Sequence, residues 1–279
     1  MVRLILEGGG MRGIYTAGVL DCFLDNGIEI NDIVGVSAGI CTGINYVSKQ
    51  KHRSLNINTK YLDHGQYVGI KNLLTTGSIF NMELLFKRIP EELEPFDYKT
   101  YNSSGKRVIS VATSCETGKA EYFDVSNIKR GSLEKIQASA SIPLLAKPVE
   151  IDEKEYYDGG VADSIPIEWS LKNGADKNVI VLTRPLGYRK EIKGRSAITR
   201  RVMKKYPEIV KAYEKRNEGY NASLDLCDAE EAAGRAIIIA PSDTEGVSRL
   251  TKDREKLVRL YKRGYGDTEK LIDKIKEFI

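Results

Sequence analysis

An α/β fold with a mostly parallel sheet is predicted by three observations near the start of the chain. An apolar run, Val2 to Leu6, stops at a glycine cluster; a helix-spaced apolar pattern follows; and the same order recurs from Asp32 onward. Strand, turn and helix, repeated in this way, mark parallel strands joined by crossover helices.

The elements follow in order. Val2 to Leu6 (VRLIL) is short and apolar and reads as a buried strand. Met11 to Asn26 sets Ile14, Ala17, Val19, Leu20, Phe23 and Leu24 on a helical face, with Gly27 placed to end it. Asp32 to Val36 is a second strand, and residues 38 to 50 a second helix. Arg107 to Ser114 (RVISVATS) is a strand, to which Glu121 to Val125 pairs across the turn at Thr117-Gly118. Leu133 to Ser141 reads as a helix that stops before Pro143. A strand near Glu155 to Tyr157, a helix at Ile167 to Lys172 and a strand at Asn178 to Thr183 come next. Beyond them Arg195 to Ala233 is long, charged and helical, Ala236 to Ala240 (AIIIA) is one more strand, and Arg254 to Ile279 reads as two helices. The expected division is an α/β domain over residues 1–183 and a mainly helical extension over residues 184–279 packed on it. No internal repeat is present.

Composition narrows the function classes. The 279 residues contain no Pro- or Ser-rich linker and are enough for a sizeable core. No apolar run approaches the roughly 20 residues of a spanning helix, and Val2 to Gly13 is too short and Gly-rich for a secretory signal, so a cytoplasmic protein is expected. Cys22, Cys41, Cys115 and Cys227 lie far apart and read as buried reduced thiols, with neither a zinc site nor a disulfide framework. Lys and Arg total 43 against 39 acidic residues, a net charge of +4 that gives no case for nucleic acid. The excess is concentrated in Arg184 to Arg216. That stretch offers a peripheral contact with anionic membrane, although a solvated helical surface is the commoner meaning of such a run.

Gly8, Gly10 and Gly13 fit G-x-G-x-x-G, which raises a dinucleotide site. That reading requires an Asp or Glu at the carboxyl end of the second strand. The strand ends instead in Gly35-Val36-Ser37-Ala38-Gly39, and Asp32 is at its other end. G-x-S-x-G between a strand and a helix is the setting of a nucleophile elbow: a sharp turn would hold the Ser37 hydroxyl above the sheet, with the helix N-terminus favouring developing negative charge. Two adjacent parallel strands would then both end in glycine turns, and the N–H groups of Gly9, Gly10 and Met11 would lie beside Ser37, where they can serve as an oxyanion hole. Tight turns without chemistry explain one such cluster more easily than two.

A serine nucleophile needs a base. The only histidines are His52 and His64, shortly after the elbow helix, which excludes an α/β-hydrolase triad in its usual order. Their polar neighbourhood suggests surface residues. Asp158 follows a strand and precedes two glycines that permit close approach to another loop; taken alone, Asp-Gly is an ordinary turn signal.

Taken together, EGGGMRG (Glu7 to Gly13), GVSAG (Gly35 to Gly39), ASASIP (Ala138 to Pro143) and DGGVADSIP (Asp158 to Pro166) resemble, in order and spacing, the patatin-like phospholipases. The resemblance spans about Val2 to Lys172, and the C-terminal hundred residues resemble the extension of a bacterial branch of that family. It implies a three-layer α/β/α fold and a Ser–Asp dyad, with Ser37 as nucleophile and Asp158 as base. It also implies an oxyanion hole from the Gly8 to Gly10 backbone, with Arg12 as the basic residue often found there, and no metal or cofactor. Glu7 replaces the aspartate common before the glycines, and Ser164 stands where many members have Asn.

The expected function is a lipid acyl hydrolase of phospholipase A or esterase type, acting on a lipid or other acyl ester. The alternatives are an inactive patatin-like lipid-binding or regulatory module, against which the intact motifs count, and a nucleotide-dependent oxidoreductase, weakened by the missing ribose carboxylate. Gly69 to Ile89 is amphipathic and reads as a lid or acyl pocket, or equally as core packing. Head group, chain length and oligomeric state are not written in the sequence.

Overall fold

The computed structural model describes residues 1–62, 67–192, 201 and 203–279. Five parallel strands form the core of one sheet and run to its β8 edge: β3 (Arg107–Ser114), β2 (Asp32–Val36), β1 (Val2–Leu6), β7 (Lys177–Val181) and β8 (Ala236–Ile239), in that spatial order. Antiparallel strands complete it: β4 (Ala120–Asp124) pairs along the other edge of β3, β6 (Lys154–Asp158) pairs with the end of β3 beyond its pairing with β2, and β5 (Val149–Ile151) pairs with β6. The sheet is therefore mixed, with a parallel core.

Alternation along buried strands supplies two apolar faces. Leu4, Leu6, Ile33, Val179 and Ile237 point into one core, shared with α1 (Ile14–Asp25), α2 (Ala38–Val47), α9 (Arg254–Glu269) and α10 (Ile272–Phe278). Ile5, Val34, Val36, Val111 and Ile180 point into the other, covered by Ile167 of α7 (Ile167–Lys172) and by Tyr220, Leu224 and Cys227 of α8 (Pro207–Ala232). These are the three layers expected. The C-terminal segment enters all of them: α8 covers one face, α9 and α10 the other, and β8 extends the sheet.

Helices α1 and α9 cross closely because glycine meets backbone on both sides. A methyl group at Gly18 would come within 2.1 Å of the Tyr261 carbonyl oxygen, and one at Gly264 within 2.1 Å of the Tyr15 carbonyl oxygen. The Tyr261 hydroxyl donates to Asp21 at 2.7 Å across the same crossing.

At the amino end of the parallel strands Arg3, fully buried, donates from two nitrogens to the two oxygens of Asp32, each at 2.9 Å. Its remaining N–H groups reach the Ser170 and Asn173 carbonyls. Asp32 thus has a structural partner, at the strand end opposite to where a ribose carboxylate belongs.

Several elements differ from expectation. The first helix opens as a 3-10 turn, Gly10–Gly13, before α1, and the second ends at Val47. Helix Glu134–Ser139 (α6) is shorter than expected, and β5 and the π-helix Leu84–Leu93, which contains Pro90, have no clear signal in the residues. Short helices at Arg53–Lys60 (α3), Ile70–Thr76 (α4) and Tyr98–Asn102 (α5) fill the span between β2 and β3. Of the expected helix Arg195 to Ala233, residues 195–200 and 202 lie outside the described residues, and α8 begins at Pro207. Cys22, Cys115 and Cys227 are buried free thiols, and Cys41 is half-buried. No helix among the described residues is long and apolar enough to cross a membrane.

Candidate active site

The site lies at the carboxyl ends of β1, β2 and β3, beside the end of β6. β2 turns into α2 through Ser37, whose φ of 53° and ψ of −122° are strained for a residue with a side chain. The turn is tight enough that a methyl group at Gly39 would stand 2.4 Å from the Leu6 carbonyl oxygen, so only glycine fits. Strain of this kind persists where the surroundings hold it. Here the Ser37 N–H donates to Ser139 Oγ at 2.8 Å, and the Cys41 N–H to the Ser37 carbonyl at 3.1 Å.

The Ser37 hydroxyl donates to Asp158 Oδ2 at 2.7 Å, and both residues are buried. Asp158 is positioned by its strand and by the turn after it. Its N–H donates to the Ser141 carbonyl at 2.8 Å, its own carbonyl accepts from Thr113 Oγ1 at 2.8 Å, and its Oδ1 accepts the Gly160 N–H at 2.7 Å. The Ser164 hydroxyl donates to the Gly160 carbonyl at 2.9 Å, as does Arg216 Nε, so serine at position 164 still closes the loop. Burial pushes the Asp158 carboxyl above the ordinary aspartate range. The bonds from Ser37 and Gly160 and the charges of Arg216 and Arg249 act the other way.

Gly8, Gly9, Gly10, Ser37 and Asp158 line one small cavity, with Ile142, Pro143, Tyr213, Arg216 and Arg249 among its other walls. Among the described residues the N–H groups of Gly8, Gly9 and Gly10 have no hydrogen-bond partner. The other expected donor, the Met11 N–H, is committed elsewhere, and so is the N–H of Arg12. The Met11 N–H donates to the Arg249 carbonyl at 3.1 Å and the Arg12 N–H to the Gly9 carbonyl at 3.3 Å, because the chain begins its 3-10 turn here and a C-terminal loop packs on it. The Arg12 side chain lines neither cavity that contains Ser37. Glu7 is more than a spacer: its carboxylate accepts from the Thr183 N–H and hydroxyl and from the Tyr220 hydroxyl, tying the end of β1 to the end of β7 and to α8.

Ser37 also borders a second, mostly apolar cavity of about 140 Å³. Phe80, Met82, Leu85, Phe86, Ile136 and Ile142 are among its walls, so part of the amphipathic stretch Gly69 to Ile89 does face this site. Cys41 borders it too. His52 is exposed and lines neither cavity, while His64 lies outside the described residues. Among the described residues no group of three His, Cys, Asp or Glu is placed to hold a metal ion.

Ser139, Arg216 and Arg249 went unrecognised as site residues in the sequence. Ser139 sits inside the ASASIP motif, which marked it without a role. The two arginines come from distant segments, and only the fold brings them together. Nearby, Lys190 stands with its Nζ 3.4 Å from the centre of the Tyr220 ring. Burial and then Arg216 bring its amine down to about 6, with Glu7 opposing and Arg249 and Arg12 adding.

Comparison with known proteins decides the family. The family model described as patatin-like phospholipase matches residues 4–169, more than half of the chain. The chain belongs to the patatin-like phospholipases. A second model, a domain of unknown function (DUF6363), matches residues 206–279. Beyond the patatin-like model, the chain is 28% identical over 189 residues to the uncharacterized protein YjjU of Escherichia coli K12, covering 66% of this chain and 52% of that protein. It is 29% identical over 191 residues to the probable lipid hydrolase 463L of Invertebrate iridescent virus 6, covering 63% of this chain and 65% of that one. Lysophospholipase NTE1 of Kluyveromyces lactis is 23% identical over 282 residues, covering 95% of this patatin-like chain and 18% of the yeast protein. The chain thus spans about half to two thirds of the length of the first two curated relatives.

Proposed function

We propose that this protein is a lipid acyl hydrolase in which Ser37 is the nucleophile and Asp158 the base. The observation that carries the reading is the 2.7 Å hydrogen bond from a strained, buried serine hydroxyl to a buried carboxylate, beside three glycine N–H groups without partners among the described residues. The names of the relatives, a probable lipid hydrolase and a lysophospholipase, agree with it.

Ser37 Oγ attacks the ester carbonyl carbon while Asp158 Oδ2 takes its proton. The carbonyl π electrons move to oxygen, and the free N–H groups of the Gly8 to Gly10 turn receive the oxyanion. The intermediate collapses; the alcohol leaves with the proton from Asp158, and an acyl-serine remains. Water then attacks this ester, giving its proton to Asp158, and the fatty acid departs as Ser37 recovers a proton. The apolar cavity takes the acyl chain, and the cavity lined by Asp158, Arg216 and Arg249 takes the alcohol portion. Residues 184–279 complete the catalytic unit, since Arg216, Arg249 and Tyr220 bear on the site from that segment.

The test is hydrolysis of a p-nitrophenyl acyl ester, with a fluorophosphonate probe to locate the nucleophile. Wild type turns over and is labelled at Ser37. Ser37→Ala loses roughly 10³-fold or more in kcat and its label. An unlabelled, equally active Ser37→Ala variant overturns the assignment.

A further inference from the structure

A third cavity, open and about 550 Å³ in volume, contains neither Ser37 nor Asp158. Arg12, Arg184 and Arg249 line it, together with Thr244 and Ser248. The three arginines arrive from separate segments: the glycine turn, the stretch after β7 and the loop before α9. Arg12 is only 4% exposed, and its Nε has no hydrogen-bond partner. Neither an ion pair nor a side-chain hydrogen bond joins any of the three guanidiniums to a described residue.

A buried cation normally has a partner, because removing it from water is costly. Burial and then the neighbouring Arg184 bring the Arg12 guanidinium down to about 10, with Glu7 opposing and Arg249 adding. Glu7 makes no ion pair with Arg12; its carboxylate accepts instead from Thr183 and Tyr220. Three guanidiniums converging on one cavity suit an acceptor with several oxygens, able to take N–H groups from more than one direction. Planar guanidinium forks match phosphate in this way, often bidentately.

We propose that the Arg12, Arg184 and Arg249 cavity binds a phosphate group. The group arrives either as free phosphate or on a lipid headgroup, and Leu186, 60% exposed two residues after Arg184, is placed to meet a lipid surface. Occupancy bears on the glycine turn, because Arg12 belongs to that turn and the Arg249 carbonyl holds its Met11 N–H. The inference stands apart from ester hydrolysis, and its test reads binding alone.

Inorganic phosphate is titrated calorimetrically into the full chain, and the chain is co-sedimented with phosphatidylcholine vesicles with and without phosphatidic acid. Wild type binds phosphate, the acidic vesicles, or both. Arg184→Gln weakens that binding at least about tenfold, the usual scale for a charge-assisted hydrogen bond. Arg130→Gln removes an equal charge from an exposed site paired with Glu91, and keeps wild-type affinity. Phosphate binding without vesicle preference assigns a soluble ligand, and vesicle binding without free-phosphate binding assigns a headgroup. The proposal is overturned if wild type prefers neither ligand, or if Arg184→Gln, with an unchanged melting curve, binds as wild type does or loses no more than Arg130→Gln.

Discussion

Val36 and Asp158 occupy successive rungs on the same strand: Val36 lies opposite Val111 and Asp158 opposite Ala112. β3 hands its pairing from β2 to β6 at that step. Ser37, next after Val36, and Asp158 are therefore brought together by sheet register, which loop flexibility does not erode.

The first prediction concerns the base. Asp158→Asn keeps the size of the side chain but offers no carboxylate for the serine proton, so kcat falls by roughly 10³-fold or more with the fold intact. His52→Ala, at an exposed ring outside both Ser37 cavities, retains most activity. Steady-state hydrolysis of a p-nitrophenyl ester checks both, and a dead but folded His52→Ala would force a different mechanism.

A second prediction concerns the glycine turn. Gly10 has a φ of 57°, and a methyl group there would stand 2.7 Å from the Arg249 carbonyl oxygen. Gly10→Ala thus loses stability by about 1–2 kcal/mol from the left-handed backbone. It also raises the barrier by about 3 kcal/mol as a donor N–H is displaced. Urea unfolding and kcat/KM measure the two effects separately, and wild-type values for both would show the turn to be tolerant.

The pH profile is a third. Because burial raises the Asp158 carboxyl, the ionised base is lost as pH falls through a value above the ordinary aspartate range. kcat/KM should rise with pH through that value. Stability moves the other way: between the unfolded and the raised folded pKa the native state holds more proton than the unfolded chain, so this group's stabilisation is full below the unfolded pKa and is lost as pH rises through the folded one. In Asp158→Asn that component of the stability profile should vanish, as pH-dependent melting will test.

The fourth prediction lies at the other end of the sheet. Asp32→Ala strands the fully buried Arg3 guanidinium, and should cost about 3–5 kcal/mol. Chemical denaturation reads the loss, while kcat/KM of the folded fraction should hold. A loss below 1 kcal/mol would mean that Ser170 and Asn173 alone satisfy Arg3.

The parallel core was legible because strands buried on both faces read as continuous apolar runs, as Leu4 to Leu6 and Ala236 to Ile239 do. Ser37 stood out because only a tight turn needs glycine on both sides. Asp158 carried merely a turn signal, since its partnership with Ser37, 121 residues away in sequence, arises only when β2 and β6 each pair with β3. The same distance hid Arg216 and Arg249. Val149 to Ile151 is too short for periodicity to register, and the π-helix around Pro90 follows no simple repeat. The commitment of the Met11 N–H to Arg249 is likewise a tertiary event that no local pattern records.

The glycine-lined crossing of α1 and α9 has a consequence for how the chain is made. Tyr261 and Asp21, which meet there, are 240 residues apart in sequence. A ribosome that has released the first helix must emit more than two hundred further residues before its partner exists, since the two contact residues lie 240 positions apart. Until then the face of α1 at Tyr15 and Gly18 has no α9 to cover it, which makes folding slow through high contact order and exposes the nascent chain to aggregation.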